Sequence, residues 1–369
     1  MLYKNDRRIV LTLDAGGTNF VFSAIRGMES VVDSVVLPSN GDNLSKCLAS
    51  IIDGFKTVIS RLDSKPSAIS FAFPGPADYP NGIIGDLGNL PGFKGGVALS
   101  SMLQEQFKLP VFINNDGDLF AYGEAIAGLL PEVNKMLSDV GNSKQYRNLF
   151  GVTLGTGFGG GFVVNNQLYI GDNSAGAEVW LMRNSINVDC FAEEGASIRA
   201  VQRVYHKHSK RDEKQLLSPK EISEIIDGSR DGDLDAARLA FQTLGTVVGD
   251  ALANVVTLTD SVVVIGGGLS KSYKYFAPAM FSQLNGKISN LKGEKIDRLE
   301  LKVFDLENTE QRLLFTKGEL RKVKVPFSEA VVDYDSLKRV GVGLSRLGTS
   351  HAVAVGAYAF ALNKLNAKS

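Results

Sequence analysis

The first part of the chain alternates short apolar runs with segments of helical periodicity. Apolar runs rich in β-branched residues and closed by turn residues predict strands. These strands cover residues 8–14, 20–25, 30–38, 68–73 and 110–114. Apolar residues spaced by three and four positions predict helices. These helices cover residues 43–59, 98–108 and 119–129. Strands that alternate with helices predict an α/β layered architecture.

From Asn148 the pattern begins again with a strand, a glycine-rich turn and a second strand. The two turns, at Gly16 and Gly155, lie about 140 residues apart, which suggests a duplicated unit. Periodicity then predicts further elements. They are helices near 193–207, 218–227 and 232–257, a strand at 261–268 with a helix after it, and a small-residue helix at 350–364. The charged region 293–335 is predicted to be an inserted antiparallel element. Its strand-like segments are RLELKVFDL, QRLLFT and RKVKVPF.

Composition limits the function classes. Hydrophobic residues make up 44% and charged residues 22%, which excludes a disordered or fibrous chain. Forty basic and forty acidic residues give a net charge of +0, so no overall field attracts nucleic acid or anionic lipid. Two cysteines cannot form a disulfide framework. Because no run of about 18 apolar residues occurs, we expect no membrane span, and we expect a cytoplasmic location.

The glycines cluster at sites suited to binding phosphate. In the segment DAGGTN (14–19) a carboxylate ends a strand and two glycines follow, so the backbone can approach an anion. Asp14 would then provide an oxygen ligand for a nucleotide-bound Mg²⁺. An ordinary glycine-rich hairpin is the alternative.

A denser glycine turn, LGTGFGGG, covers residues 154–161. A dinucleotide-binding motif would require a helix after this turn, whereas FVVNNQLYI is typical of a strand, so we reject that motif. The segment VIGGGLS (264–270) joins a strand to a helix, where a ligand could lie against the helix N-terminus.

The segment INNDGD (113–118) ends a strand with amides and carboxylates. A carboxylate there, within reach of a bound hydroxyl, is suited to act as a general base. An Asx turn that caps a helix beginning near Asp118 also explains these residues, and both interpretations can hold at once.

Taken in order, these motifs resemble the ROK (repressor, open reading frame, kinase) family of sugar kinases. The resemblance rests on LDAGGTN, FPGPAD, GNLPGFKG, INNDGDLFAYGEA, LGTGFGGGFVVNNQLYIG, VVVIGGG and LGTSHAVAVGAYAFAL. It places the chain in the superfamily of actin, heat-shock ATPases and hexokinases. It implies two ribonuclease-H-like domains with ATP in the cleft between them, and transfer of the γ-phosphoryl group to a sugar hydroxyl. We assign residues 1–120 plus 346–369 to the first domain and 121–345 to the second.

The resemblance assigns roles residue by residue, with Asp116 as the catalytic base. The residues that match the ATP- and phosphate-binding positions are Asp14, Gly16, Gly17, Thr18, Asn19, Gly155, Thr156, Gly157, Gly266, Gly267 and Gly268. The residues that match the sugar-binding positions are Gly75, Asn89, Asn115, Asp116, Glu178 and Glu193, with Glu194 as the competing choice for the last. Asp14 is expected to serve the Mg²⁺ bound with ATP through water.

Two departures from the family pattern stand near Glu178. Members usually carry a histidine that touches the sugar and binds a structural zinc, where this chain has Leu181, and a glycine where it has Trp180. The cysteine-rich zinc loop is represented by Cys190 alone, and zinc needs about four ligands, so we predict no zinc site. The lost histidine also makes glucose less certain as the substrate.

The expected partners are therefore ATP, Mg²⁺ and a hexose or N-acetylhexosamine, and a homodimer is left open. Repressors of the family carry a winged helix before the first phosphate loop. Asp14 stands 13 residues from the start of this sequence, so we expect no DNA binding. Two alternatives remain open. One is a sugar-binding sensor without catalysis, and the other is a kinase for a different acceptor.

Overall fold

Strands and helices alternate along the chain, and the computed structural model describes residues 3–75, 77–85, 92–210 and 216–367. The strands are β1 (Val10–Ala15), β2 (Asn19–Arg26), β3 (Glu29–Ser30), β4 (Val35–Pro38), β5 (Ala68–Ala72), β6 (Ala77–Asp78), β7 (Ile83–Ile84), β8 (Val97–Ala98), β9 (Val111–Asn114), β10 (Leu149–Leu154), β11 (Phe158–Val164), β12 (Gln167–Tyr169), β13 (Val262–Gly266), β14 (Lys287–Ser289), β15 (Lys295–Asp297), β16 (Lys302–Asp305), β17 (Leu320–Lys324), β18 (Val331–Asp335) and β19 (Arg339–Leu344). The helices are α1 (Leu44–Ser60), α2 (Leu99–Phe107), α3 (Asp116–Ile126), α4 (Leu129–Asp139), α5 (Ile198–His208), α6 (Pro219–Ile226), α7 (Leu234–Thr259), α8 (Tyr273–Leu284), α9 (Thr309–Lys317) and α10 (Thr349–Asn366).

The chain divides into two compact units. The first contains residues 1–131, 161–177 and 345–369, and the second contains 132–160 and 178–344. A mixed α/β fold in two parts agrees with the predicted fold class. The predicted domain boundary at residue 120 stays a prediction.

The first unit is built on a sheet with the strand order β3-β2-β1-β5-β9, and β4 also pairs with β2. Strands β1, β5 and β9 are parallel, whereas β2 runs antiparallel to β1. Buried side chains from the sheet and from α1 form its core, with Phe22 and Phe55 in edge-to-face contact at 5.2 Å. The parallel strands place their carboxyl ends, which hold the predicted site residues, at one edge.

The last helix packs closely against α3 in the same unit. A methyl group added at Gly356 would lie 1.9 Å from the carbonyl oxygen of Leu119, and one at Gly123 would lie 1.9 Å from that of Ala352. Only glycine permits this approach of the two backbones. The small residues of α10 therefore allow it to pack closely within the first unit.

The second unit contains the parallel strands β10, β13, β19 and β16, in that order. Helix α7 packs against α5, α6 and α8 in this unit. Among the described residues, α7 is the one helix long and apolar enough to cross a membrane, and 67% of its most apolar window is buried in the fold. This burial is typical of a core helix.

The region 293–335 differs from the antiparallel insertion that we predicted. Strand β16 pairs in parallel with β19 inside the second sheet, and the segment QRLLFT, predicted to be strand-like, lies in helix α9. The side chain of Asn308 caps α9 by accepting a hydrogen bond from the backbone N–H of Gln311 at 3.0 Å. Two exposed antiparallel hairpins, β14–β15 and β17–β18, account for the strand-like pattern.

Candidate active site

The carboxyl ends of three parallel strands bring the predicted residues of the first unit to one edge. Asp14 of β1 is in register with Ala72 of β5, and Ala72 is in register with Asn114 of β9. Asn115 and Asp116 follow Asn114 directly, so they emerge beside Asp14. Residues that are about a hundred positions apart in the sequence thus share one edge of the sheet.

The first glycine turn is tightly folded. A methyl group at Gly16 would lie 2.8 Å from the carbonyl oxygen of Asn19, whereas one at Gly17 would meet nothing within 4 Å. Ser39 donates its hydroxyl to the carbonyl oxygen of Gly17 at 2.6 Å and its backbone N–H to that of Thr18 at 2.9 Å. These contacts fix the turn, while Asp14, Thr18 and Asn19 stay exposed to solvent.

Helix α3 begins at Asp116, two residues before the start that we expected. The side chain of Asn115 caps it by accepting a hydrogen bond from the backbone N–H of Gly117 at 2.7 Å. The expectation that Asp118 lies at the cap is wrong, because Asp118 lies inside the first turn with a buried side chain. Asn115 and Asp118 are both residue types that favour a helix cap, and only the backbone geometry shows which of them is the cap.

Asp116 is exposed to solvent at the helix N-terminus, and the protein atoms packed around it partly desolvate its carboxyl group. This desolvation raises the pKa of the Asp116 carboxyl above its ordinary value. The backbone N–H of Gly117, which donates to Asp116 Oδ1 at 2.9 Å, opposes the rise, and the negative charge of Asp14 adds to it. A base with a raised pKa accepts a proton more readily than an ordinary aspartate.

Gly75 and Asn89, the remaining predicted sugar-binding residues of the first unit, follow β5 in the sequence. A methyl group at Gly75 would lie 3.0 Å from the hydroxyl of Tyr79, which donates to the carbonyl oxygen of Phe73 at 3.0 Å. The backbone N–H of Phe73 donates to Asn114 at 3.0 Å, so this loop is tied to β9. Asn89 lies outside the described residues.

In the second unit, two glycine turns lie side by side. Strands β10 and β13 are parallel, with Thr153 in register with Gly266, so the turns after them share an edge. Gly267 has φ +84°, and a methyl group there would lie 2.2 Å from the carbonyl oxygen of Leu154. Only glycine fits this position. Methyl groups at Gly155 and Gly268 would meet nothing within 4 Å, so an open backbone lines this edge.

Glu193 binds the second glycine turn directly. Its Oε2 accepts a hydrogen bond from the backbone N–H of Phe158 at 3.0 Å, and its Oε1 lies 3.1 Å from Arg199 Nη2. Glu194 pairs instead with Arg203, at 2.7 Å. Sequence reasoning left these two glutamates unresolved, and the contacts favour Glu193 as the one directed toward the glycine turn.

Glu178 has a partner that sequence reasoning did not assign. The indole N–H of Trp180 donates a hydrogen bond to Glu178 Oε2, and the rings of Trp180 and Phe191 form a T-shaped contact with their centroids 5.7 Å apart. The only available signal was a tryptophan at a position where the family usually has glycine. Leu181, at the histidine position, is 58% exposed.

No metal cluster accompanies these residues in the part of the chain that the structure describes. No three His, Cys, Asp or Glu side chains there approach closely enough to hold an ion, and Cys190 is exposed. The absence of zinc stays a prediction, and elemental analysis of the purified protein tests it.

A sequence model of the ROK family matches residues 10–296. The chain belongs to the ROK family. The crystal structure of a glucokinase from Parabacteroides distasonis matches this ROK protein with a TM-score of 0.90 and 51% identity, over 98% of this chain and 99% of that one. A glucokinase from Thermotoga maritima is 26% identical over 71% of the chain and 83% of its own length. An N-acetyl-D-glucosamine kinase from Vibrio parahaemolyticus is 26% identical over 70% and 83%. The family and the fold class predicted from the sequence are therefore confirmed.

Proposed function

We propose that this ROK protein is an ATP-dependent hexose kinase whose substrate is glucose. The observation that carries the proposal is the 51% identity with a glucokinase over nearly the whole of both chains. It favours glucose despite the departures at Trp180 and Leu181 that made this sugar uncertain. N-acetylglucosamine is the first competing substrate, because a relative that is 26% identical is named for it.

The residues of the first unit suit the acceptor side of the reaction. When an alcohol attacks a phosphoryl group, its proton must leave, and a carboxylate within hydrogen-bond reach can accept it. Asp116 is exposed, begins a helix and has a raised pKa, which makes it the proposed base. Asn115 is fixed beside it, because its side-chain oxygen accepts the cap hydrogen bond from the backbone N–H of Gly117.

The glycine turns suit the nucleotide side. Methyl groups at Gly17, Gly155 and Gly268 would meet nothing, so a phosphate can reach the backbone there, and this fits the ATP that the resemblance implies. ATP supplies the phosphoryl group that is transferred. Asp14 is an exposed oxygen donor at the end of β1, and it would hold water of a Mg²⁺ that neutralises phosphate charge.

An assay of ADP release with ATP, Mg²⁺ and a panel of sugars tests the proposal. The panel contains glucose, mannose, fructose, xylose, N-acetylglucosamine and N-acetylmannosamine. We expect glucose to give the highest kcat/KM. If an N-acetylhexosamine exceeds glucose, the substrate assignment is wrong although the kinase class stands. Sugar binding without any ADP release would instead favour the non-catalytic sensor.

Substitutions at the helix start test the role of Asp116. Asp116→Asn should bind sugar and ATP nearly as well as the wild type while lowering kcat roughly 100-fold or more, the scale of a lost general base. Asp118→Asn is the matched control, and we expect it to lower stability and keep most of the kcat. If Asp116→Asn turns over glucose near the wild-type rate, the base is another group.

A neighbouring pair distinguishes the two glutamates of the second unit. Glu193→Gln weakens the contact with the glycine turn at Phe158 and should raise KM for sugar or ATP several-fold. Glu194→Gln removes only a half-exposed pair with Arg203, which is worth about 0–1 kcal/mol at most. Its kinetics should therefore match those of the wild type. The opposite ranking would assign the role to Glu194.

A further inference from the structure

The segment after Glu178 and the segment before Glu193 are joined by Trp180. The indole N–H of Trp180 donates to Glu178 Oε2, and its ring lies edge-on to Phe191 with the centroids 5.7 Å apart and the planes at 88°. This T-shaped arrangement is favoured because the positive edge of one ring meets the negative face of the other. One side chain thus touches both segments that carry the candidate sugar-binding glutamates.

The loop between these segments is closed at its base. Arg183 and Phe191 form a short antiparallel bridge, and the backbone N–H of Ala192 donates to the carbonyl oxygen of Met182 at 2.7 Å. The position of Phe191 is therefore set by backbone bonds. Because the backbone at Phe191 is held in this way, its ring offers Trp180 a defined packing partner, and this contact restricts the direction in which Trp180 points its N–H.

The hydrogen bond from Trp180 orients the carboxylate of Glu178. Glu178 is half-buried at the start of the short 3₁₀ turn Val179–Leu181, so its side chain would otherwise be free to sample several rotamers. A hydrogen bond from a neutral N–H to a carboxylate is charge-assisted, and it occupies Oε2. Oε1 then remains to accept from a ligand hydroxyl.

We propose that Trp180 is a positioning residue that holds the carboxylate of Glu178 toward the sugar hydroxyls, with Phe191 as its support. This inference rests on the proposed function, since it takes Glu178 to be a sugar ligand. The neighbouring Leu181 has no polar group with which to share this task. Trp180 acts through Glu178 and is not itself assigned a contact with the sugar.

Trp180→Phe tests the inference, because phenylalanine keeps an aromatic ring beside Phe191 and removes the N–H. We expect KM for glucose to rise roughly tenfold, as when one charge-assisted hydrogen bond no longer orients a ligand group. The kcat and the KM for ATP should stay near the wild-type values, which is the pattern of lost sugar binding. Val188→Ala, the matched control at an exposed position of the loop between the two segments, should leave all three parameters unchanged.

Fluorescence gives a second readout, since Trp180 is the only tryptophan in the sequence. Its emission reports this position alone, and we expect titration with glucose in the absence of ATP to shift it. Trp180→Phe loses this emission, which confirms the source. Phe191→Leu keeps the N–H but removes the ring contact, and it should raise KM for glucose by a smaller factor. Phe191→Leu also tests the inference if Trp180→Phe fails to fold.

The outcomes separate this inference from the proposed function. If the wild type phosphorylates glucose and Trp180→Phe has a KM within twofold of it, the positioning role is wrong while the kinase stands. If no sugar is phosphorylated, calorimetric titration with glucose still decides whether Trp180 has the positioning role. A roughly tenfold weaker Kd in Trp180→Phe supports the role, and an equal Kd overturns it. Absence of any sugar binding to the wild type overturns both.

Discussion

Glu124 is a buried carboxylate whose loss should destabilise the first unit. It is 0% exposed, near the end of α3, and it accepts hydrogen bonds from the nearby Leu129 and from the distant segment 345–347. The backbone N–H of Leu129 donates to Oε2 at 2.8 Å. Oε1 accepts from the hydroxyl of Ser345 at 2.6 Å and from the backbone N–H groups of Arg346 and Leu347 at 3.1 and 3.0 Å. The carboxylate therefore fixes the segment that leads into α10.

Glu124→Gln keeps the size of the side chain and changes its hydrogen bonding. If the amide oxygen replaces Oε1, the amide NH₂ faces the N–H of Leu129, and a buried donor is left without an acceptor at a cost of about 1–3 kcal/mol. The three bonds that remain lose their charge assistance, at about 1 kcal/mol each. Removing a buried charge recovers part of this cost. The net loss expected in the free energy of unfolding is about 3 kcal/mol.

Urea unfolding followed by far-UV circular dichroism, with a thermal melt beside it, measures the loss. A change of this size should lower the Tm of such a unit by roughly 6–12 °C. Glu105→Gln, at an exposed position of α2, is the matched control and should stay within about 0.5 kcal/mol of the wild type. A loss below about 1 kcal/mol for Glu124→Gln would refute the reasoning.

Three further predictions follow from packing and charge. Burial raises the pKa of the Cys47 thiol to about 11, whereas Cys190 is exposed, so Ellman's reagent should find one reactive thiol in the native protein and two after unfolding. Gly356→Ala should lower Tm strongly, because its methyl group meets a backbone carbonyl, whereas Gly85→Ala, which meets nothing within 4 Å, should not. Asp116→Asn should raise Tm at neutral pH. The pKa of the Asp116 carboxyl is higher in the folded than in the unfolded state, so the ionised carboxyl costs stability at pH values above that pKa. Melts at about pH 4 should therefore show little gain in Tm for Asp116→Asn.

Local sequence pattern was sufficient to predict the elements that carry the candidate site. The strand that ends at Asp14 and the strand that ends before Asn115 were both predicted, as were the glycine turns at Gly16 and Gly155. Parallel strands end at one edge of their sheet, so these positions could be expected to share a site before any contact was known. The ordered motifs also identified the family.

Features that depend on short sequence cues were less certain. The start of α3 was placed two residues late, because Asn115, Asp116 and Asp118 are all good capping residues. The segment QRLLFT was predicted to be a strand, and it lies in α9 because the Asn308 cap and the surrounding packing favour a helix. Sequence alone gave these segments two acceptable conformations.

What the sequence determined by itself is the order of strands and helices, the family and the residue types at the candidate site, since these follow from periodicity and from ordered motifs. Only the tertiary structure decided that Glu193 faces the glycine turn, that Trp180 binds Glu178, and that Glu124 is buried among donors from the far end of the chain. Each of these depends on where a side chain points or on segments brought together from distant positions. A local pattern of polar and apolar residues contains neither kind of information, because burial and partners are set by how the whole chain packs.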